Sequence, residues 1–132
     1  MTDLIGQSIG RYHIIEQLGQ GGMATVYKAL DTQIERFVAI KVIRAEALGG
    51  DNSAPLLKRF EIEARALARL SHPNIVRVID YGKIQEQPYL VMDFIPGGTM
   101  KLRLGQPIPW REAIRRLLPV ASALDYAHSE NI

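Results

Sequence analysis

Three features of the sequence carry residue types that could handle phosphate. The stretch LGQGGMATVYKA, residues 18–29, places glycine at 19, 21 and 22. Glycine inside a regular element costs roughly 0.5–1 kcal/mol relative to alanine, so the cluster points to a close approach to the backbone: a tight turn, a phosphate, or both. The second feature is Lys41 in FVAIKVI. Strand alternation sets Val38, Ile40 and Val42 on one face and Phe37, Ala39, Lys41 and Ile43 on the other, so neither face is plainly wet. An ammonium buried there needs a partner or an anion; the plainer alternative is an edge-strand lysine that snorkels to solvent. The third is Glu63, which shares a helical stripe with Leu56, Phe60, Leu67 and Leu70 and interrupts its apolar face. Its alternative is a local ion pair with Arg59, like the exposed pair expected of Glu61 and Arg65. A lysine stranded in a sheet and a carboxylate stranded on a helix answer each other if the helix packs on that sheet.

The elements that must position these groups follow from pattern. Strands are expected over residues 12–18, 25–29 and 37–43, with the glycines turning the first into the second. GGDNS, 49–53, is turn-rich and ends in Ser53, a cap for the helix beginning near Pro55. That helix stops at SHPN, 71–74, where Pro73 forbids continuation. Two further strands, IVRVIDYG and PYLVMDFI, bring the total to five strands and one helix in the first 95 residues. Pro96, Gly97 and Gly98 break the last strand, a short helix is expected over 100–104, and a longer one starts near Trp110. Pro119 inside it predicts a kink or break over 115–119, and His128 suits its C-terminal end. Ile114, Leu117, Leu118, Ala121 and Leu124 make an apolar stripe along it.

Composition narrows the function classes. With 132 residues, 47% hydrophobic and 23% charged, the chain has the profile of one soluble globular domain. Lys and Arg number 16 against 14 Asp and Glu and are spread along the chain, so nucleic acid is not an expected partner. Without cysteine there are no disulfides and no thiolate metal site. The N-terminus lacks the pattern of a signal peptide and no apolar run approaches the ~20 residues that span a bilayer, which points to a cytoplasmic location. The glycines open a strand, whereas a dinucleotide fingerprint opens a helix and a Walker loop ends in Gly-Lys-Ser/Thr. What remains is a strand-turn-strand flap whose N–H groups can lie over phosphates.

With these residues in hand, the sequence resembles the N-terminal part of a protein kinase, most like the bacterial serine/threonine kinases of eukaryotic type. The resemblance runs in order through LGQGGMATVYKA, VAIKV, RFEIEARALARLSHPNIV, YLVMDFIPGG and SALDYAHSENI. It implies an α+β fold: a kinase N-lobe of a five-stranded antiparallel sheet and one long helix over residues 1–95, then the first helices of the helical C-lobe over 96–132. It implies that the loop of Gly19, Gln20, Gly21 and Gly22 covers the phosphates of ATP and that Lys41 contacts the α- and β-phosphates while Glu63 holds it. Leu18, Val26 and Ala39 would sandwich the adenine, Met92 would stand at the back of the pocket, and the backbone of Asp93 and Ile95 would hydrogen-bond the base. For Leu18 and Met92, ordinary core packing is an equal alternative.

Two departures qualify the resemblance. Ala24 stands where the family most often has its third loop glycine, which is tolerated if φ stays negative. The sequence ends at Ile132, where the resemblance places the His-Arg-Asp loop, the metal-binding Asn and Asp-Phe-Gly. The expected function is therefore the ATP-binding portion of a serine/threonine protein kinase, inactive as given, with Mg2+ and a protein substrate engaged only by the complete enzyme. No metal ligands are expected in this chain, and its uncovered last helix predicts self-association. The alternative is a non-catalytic nucleotide-binding or interaction module.

Overall fold

The computed structural model describes residues 3–49 and 53–132. Its centre is one antiparallel sheet of β1 (Ser8–Ile9), β2 (Tyr12–Gln20), β3 (Ala24–Asp31), β4 (Arg36–Ile43), β5 (Val78–Ile84) and β6 (Gln87–Asp93), in spatial order β1-β2-β3-β4-β6-β5. The expected five strands are present. The sixth, β1, has two residues and too little pattern to be read from sequence. Helix α1 (Ser53–Ala68) packs on β5 and β6, and α2 (Trp110–Ser129) follows a single 3-10 turn at Met100–Arg103. Ser53 is the first helical residue of α1, and most of the turn expected to cap it lies outside the described residues.

Alternation in β3 and β4 decides where the core sits. Tyr27, Ala29, Val38, Ile40 and Val42 join Leu4, Ile9, Tyr12, Ile14 and Val91 in one buried cluster. Val38, Ile40, Ile14 and Val91 are completely excluded from solvent, so the sheet curls around this face. Asp31, at the end of β3, is equally buried and is held by Arg11 Nε at 3.2 Å, while its other oxygen accepts the Gln33 N–H at 3.0 Å. A buried carboxylate is tolerable only with such partners. The Tyr12 hydroxyl donates to Asp80 at 3.1 Å. Burial first, and then the Asp80 carboxylate, push the Tyr12 phenol above its ordinary value.

The α1 to β5 connection is tied to α2. The Ser71 N–H donates to the Tyr126 hydroxyl at 3.0 Å, His72 Nε2 and Ser122 Oγ are 3.3 Å apart, and the His72 and Tyr126 rings lie 5.4 Å centre to centre. SHPN is thus a turn, as expected. Helix α2 is continuous through Pro119, which corrects the expected break. Proline removes a single bond, that to the carbonyl of Arg115, and Arg115 is an exposed position where water can serve that carbonyl. The apolar stripe of α2 is open to solvent as expected, with Ile114, Leu117, Leu118 and Leu124 about half exposed or more.

Candidate nucleotide site

The face of the sheet opposite the core carries the residues singled out in the sequence. Strand register places Gly19 beside Val26, Val26 beside Lys41 and Lys41 beside Leu90. Directly opposed residues in an antiparallel sheet project from the same face, so these four form one row. The next row on that face is Glu16, Lys28, Ala39 and Met92. Val26, Ala39, Lys41 and Met92 thus share one surface. Leu18 occupies a β-bulge between the pairs Gln17–Tyr27 and Gly19–Val26 and is 44% exposed. Such an extra residue is hard to foresee from period alone and re-aims a side chain locally.

The glycine-rich segment forms a tight hairpin closed by the Gly21 N–H donating to the Ala24 carbonyl at 2.8 Å. Arg44, just beyond β4, clasps it: its backbone N–H donates to the Met23 carbonyl at 2.8 Å and its guanidinium to the Gly21 carbonyl at 3.1 Å. The sequence alone did not single out Arg44 as a partner of this hairpin. Neither Gly19, Gly21 nor Gly22 has a left-handed φ, and neither does Ala24. A Cβ added at Gly19 or Gly22 meets nothing within 4 Å, and one at Gly21 comes no closer than 3.8 Å to the Ala24 carbonyl. The fold itself therefore does not require glycine here.

Lys41 is exposed, not buried among apolar neighbours, because Ile40 and Val42 take the core and the other face opens toward α1. Between β4, β6 and α1 lies a cavity of about 400 Å³, lined on the sheet side by Lys41, Ile43 and Leu90 and on the helix side by Phe60, Glu63 and Leu67 among others. Lys41 and Glu63 face this one space but make no ion pair. Glu63 instead accepts from Arg59 Nε at 3.1 Å, an i, i+4 pair whose side chains are 62% and 78% exposed. The centre of the inward stripe is Ala64, 1% exposed, one residue round the helix from Glu63. Helix α1 is further held to β5 by Arg65 Nε, which donates to the Tyr81 hydroxyl at 3.1 Å. An exposed helical pair contributes only about 0.3–0.5 kcal/mol, so Arg59→Ala is expected to lower the melting temperature by no more than about 2 °C and to raise ATP affinity by freeing Glu63 for Lys41. A fall in ATP affinity in calorimetric titration would show that the local pair is the useful one.

At the far end of the site face, β6 runs into the segment Asp93, Phe94, Ile95. The Asp93 N–H donates to the Arg77 carbonyl at 3.1 Å, and its carboxylate lies between Arg77 at 3.3 Å and Arg36 at 4.0 Å. Ile95 is beyond the strand, 60% exposed, and among the described residues its N–H and C=O have no backbone partner. Gly97 and Gly98 follow with φ of 101° and 80°, a left-handed turn that other residues adopt only with strain. Among the described residues no group of acidic or histidine side chains could hold a metal ion.

Known proteins share this sequence and architecture. The protein kinase domain family matches residues 12–132. Probable serine/threonine-protein kinase PknB of Lactococcus lactis is 45% identical over 125 residues, covering 92% of this chain and 20% of that protein. Serine/threonine-protein kinase PrkC of Bacillus subtilis is 39% identical over 132 residues, covering 98% and 20%. The chain thus spans about a fifth of the length of these relatives. Among solved structures, a point mutant of the PknI kinase domain of Mycobacterium tuberculosis superposes with a TM-score of 0.83 at 29% identity, covering all of this chain and 54% of that one. With sequence and architecture matching from the second strand to the last residue, the chain belongs to the protein kinase domain family.

Proposed function

We propose that this chain binds ATP on the Val26–Lys41 face of its sheet and is the nucleotide-binding portion of a serine/threonine protein kinase. The single observation that carries this reading is the glycine hairpin. Three glycines stand where the fold would accept side chains, so the demand for bare backbone comes from outside the protein, as it does when amide groups close on phosphate oxygens. Lys41, exposed and without an ion-pair partner among the described residues, is the counter-charge on the floor beneath that hairpin. The adenine would lie against Val26, Ala39 and Met92, within reach of Leu18, with Gln20 beside the glycines over the phosphates. The Ile95 N–H and the Asp93 carbonyl would meet its edge.

In phosphoryl transfer the protein mainly positions and neutralises. Here the hairpin would orient the triphosphate, and Lys41 would neutralise its α and β groups once Glu63 exchanges Arg59 for Lys41 across the cavity. Magnesium, when bound with the nucleotide, would spread the remaining phosphate charge, and among the described residues no cluster of acidic or histidine side chains is placed to hold it. The chain by itself is accordingly expected to bind nucleotide without phosphorylating protein. The open stripe of α2 is the surface through which isolated copies would associate.

Gly19→Val tests the reading. Valine suits a strand, so stability should hold or rise by about 0.5–1 kcal/mol, whereas its side chain would fill the space above Val26 and Lys41 and lower ATP affinity at least about tenfold. Unchanged ATP affinity in calorimetric titration, with the fold intact by circular dichroism, would overturn the proposal.

A further inference from the structure

We propose that Lys28 is a positioning residue that fixes the backbone of the hinge, the segment of residues 93–95 at the end of β6, for adenine recognition. Lys28 stands on β3 in the row of Ala39 and Met92, on the face opposite the core. Its ammonium lies 4.4 Å from the centre of the Phe37 ring, 4.9 Å from that of Phe94 and 3.9 Å from Glu16 Oε1. These partners come from β4, the hinge and β2, so one cation gathers three separate segments. Its side chain is 23% exposed, which leaves the ring contacts less screened than those of a free surface lysine.

The hinge is where this matters. Phe94 is the residue between Asp93 and Ile95, the two whose backbone would meet the base. Asp93 is restrained by Arg36 and Arg77, and its N–H by the Arg77 carbonyl, all on the side of β4 and β5. Ile95 has no backbone bond among the described residues. Between Asp93 and Ile95, the Phe94 ring on Lys28 is, among the described residues, a further tie of the hinge to the sheet. Losing it would let the Ile95 N–H sample directions that miss the base, and binding would fall by the fraction of time spent there.

This inference rests on the ATP reading, and its test separates the two. Adenosine probes the hinge half of the site, and inorganic tripolyphosphate probes the glycine hairpin and Lys41. Each is titrated into the full chain and into Lys28→Met, Lys28→Arg and Phe94→Leu, with the Ile95 amide proton followed by NMR. Lys28→Met and Phe94→Leu should weaken adenosine by about three- to tenfold and reduce the adenosine-induced shift of the Ile95 amide. Tripolyphosphate affinity should stay the same in both. Lys28→Arg, which keeps a cation able to stack on both rings, should restore adenosine binding. Adenosine binding unchanged in Lys28→Met, or an equal loss of both probes, overturns the positioning role alone. No adenosine binding by the unaltered chain overturns the nucleotide reading as well.

Discussion

Replacing Lys41 by methionine is expected to weaken ATP binding by roughly ten- to a hundredfold while the melting temperature without ligand stays where it was. The first half follows from what a charge-assisted contact to phosphate contributes, about 1.5–3 kcal/mol. The second follows from the surroundings of Lys41. It is exposed and makes no ion pair among the described residues, and methionine keeps the apolar stem against Val26 and Leu90, its register neighbours. Removing its charge therefore leaves no buried group unpaired. Thermal shift with ATP reads both halves at once. Equal ATP-induced shifts in the two proteins would remove Lys41 from the site.

The residue before it should behave in the opposite way. Ile40 is completely buried in the cluster formed by the curled sheet, and Ile40→Ala should cost about 2–5 kcal/mol through lost burial and the cavity left behind. For a small domain whose total stability is of order 5–15 kcal/mol, that is a large share. Urea denaturation should show the midpoint falling sharply, and the ATP affinity of the fraction that remains folded should be nearly unaltered. The contrast between neighbours is a test of register, because a slip of one residue in β4 would exchange the two side chains between faces. A Lys41 variant that unfolds more readily than the Ile40 variant would mean that the register is wrong.

Much of the fold was legible because its patterns are strong and local. The glycine hairpin, the alternation of FVAIKVI and the 3.6-residue period of α1 each specify an element without help from distant residues. Features that depend on tertiary context were not legible. Nothing in FVAIKVI says which apolar face wins; the curl of the sheet, supplied by Leu4, Ile9, Tyr12 and Ile14, settles it for Val38, Ile40 and Val42 and leaves Lys41 in the open. On α1 the stripe through Glu63 and the stripe through Ala64 differ by one position, and only the packing against β5 and β6 selects Ala64. The pairing of Glu63 with Lys41 could be inferred from spacing as an arrangement within reach. Whether it forms depends on how far α1 stands from the sheet, and here a cavity of about 400 Å³ separates them while Arg59 occupies the carboxylate.

The roles of Arg44 and Lys28 lacked any sequence signal. Each looks like an ordinary charge at the end or edge of a strand, and each gains meaning only from partners brought in by the fold: the Gly21 and Met23 carbonyls for Arg44, two rings and a carboxylate for Lys28. The bulge at Leu18 is similar, since the extra residue is visible only once the register on either side of it is known.

The central claim is that ATP binds the face of the sheet carrying Val26 and Lys41, under the glycine hairpin and against the hinge. An ATP titration followed by amide NMR tests it most directly. The largest shifts are predicted at Gly19, Gly21, Val26, Lys41 and Ile95, with Tyr27, Val38 and Ile40, on the opposite face of the same strands, moving least. Shifts centred on that opposite face, or none at millimolar ATP, would contradict it.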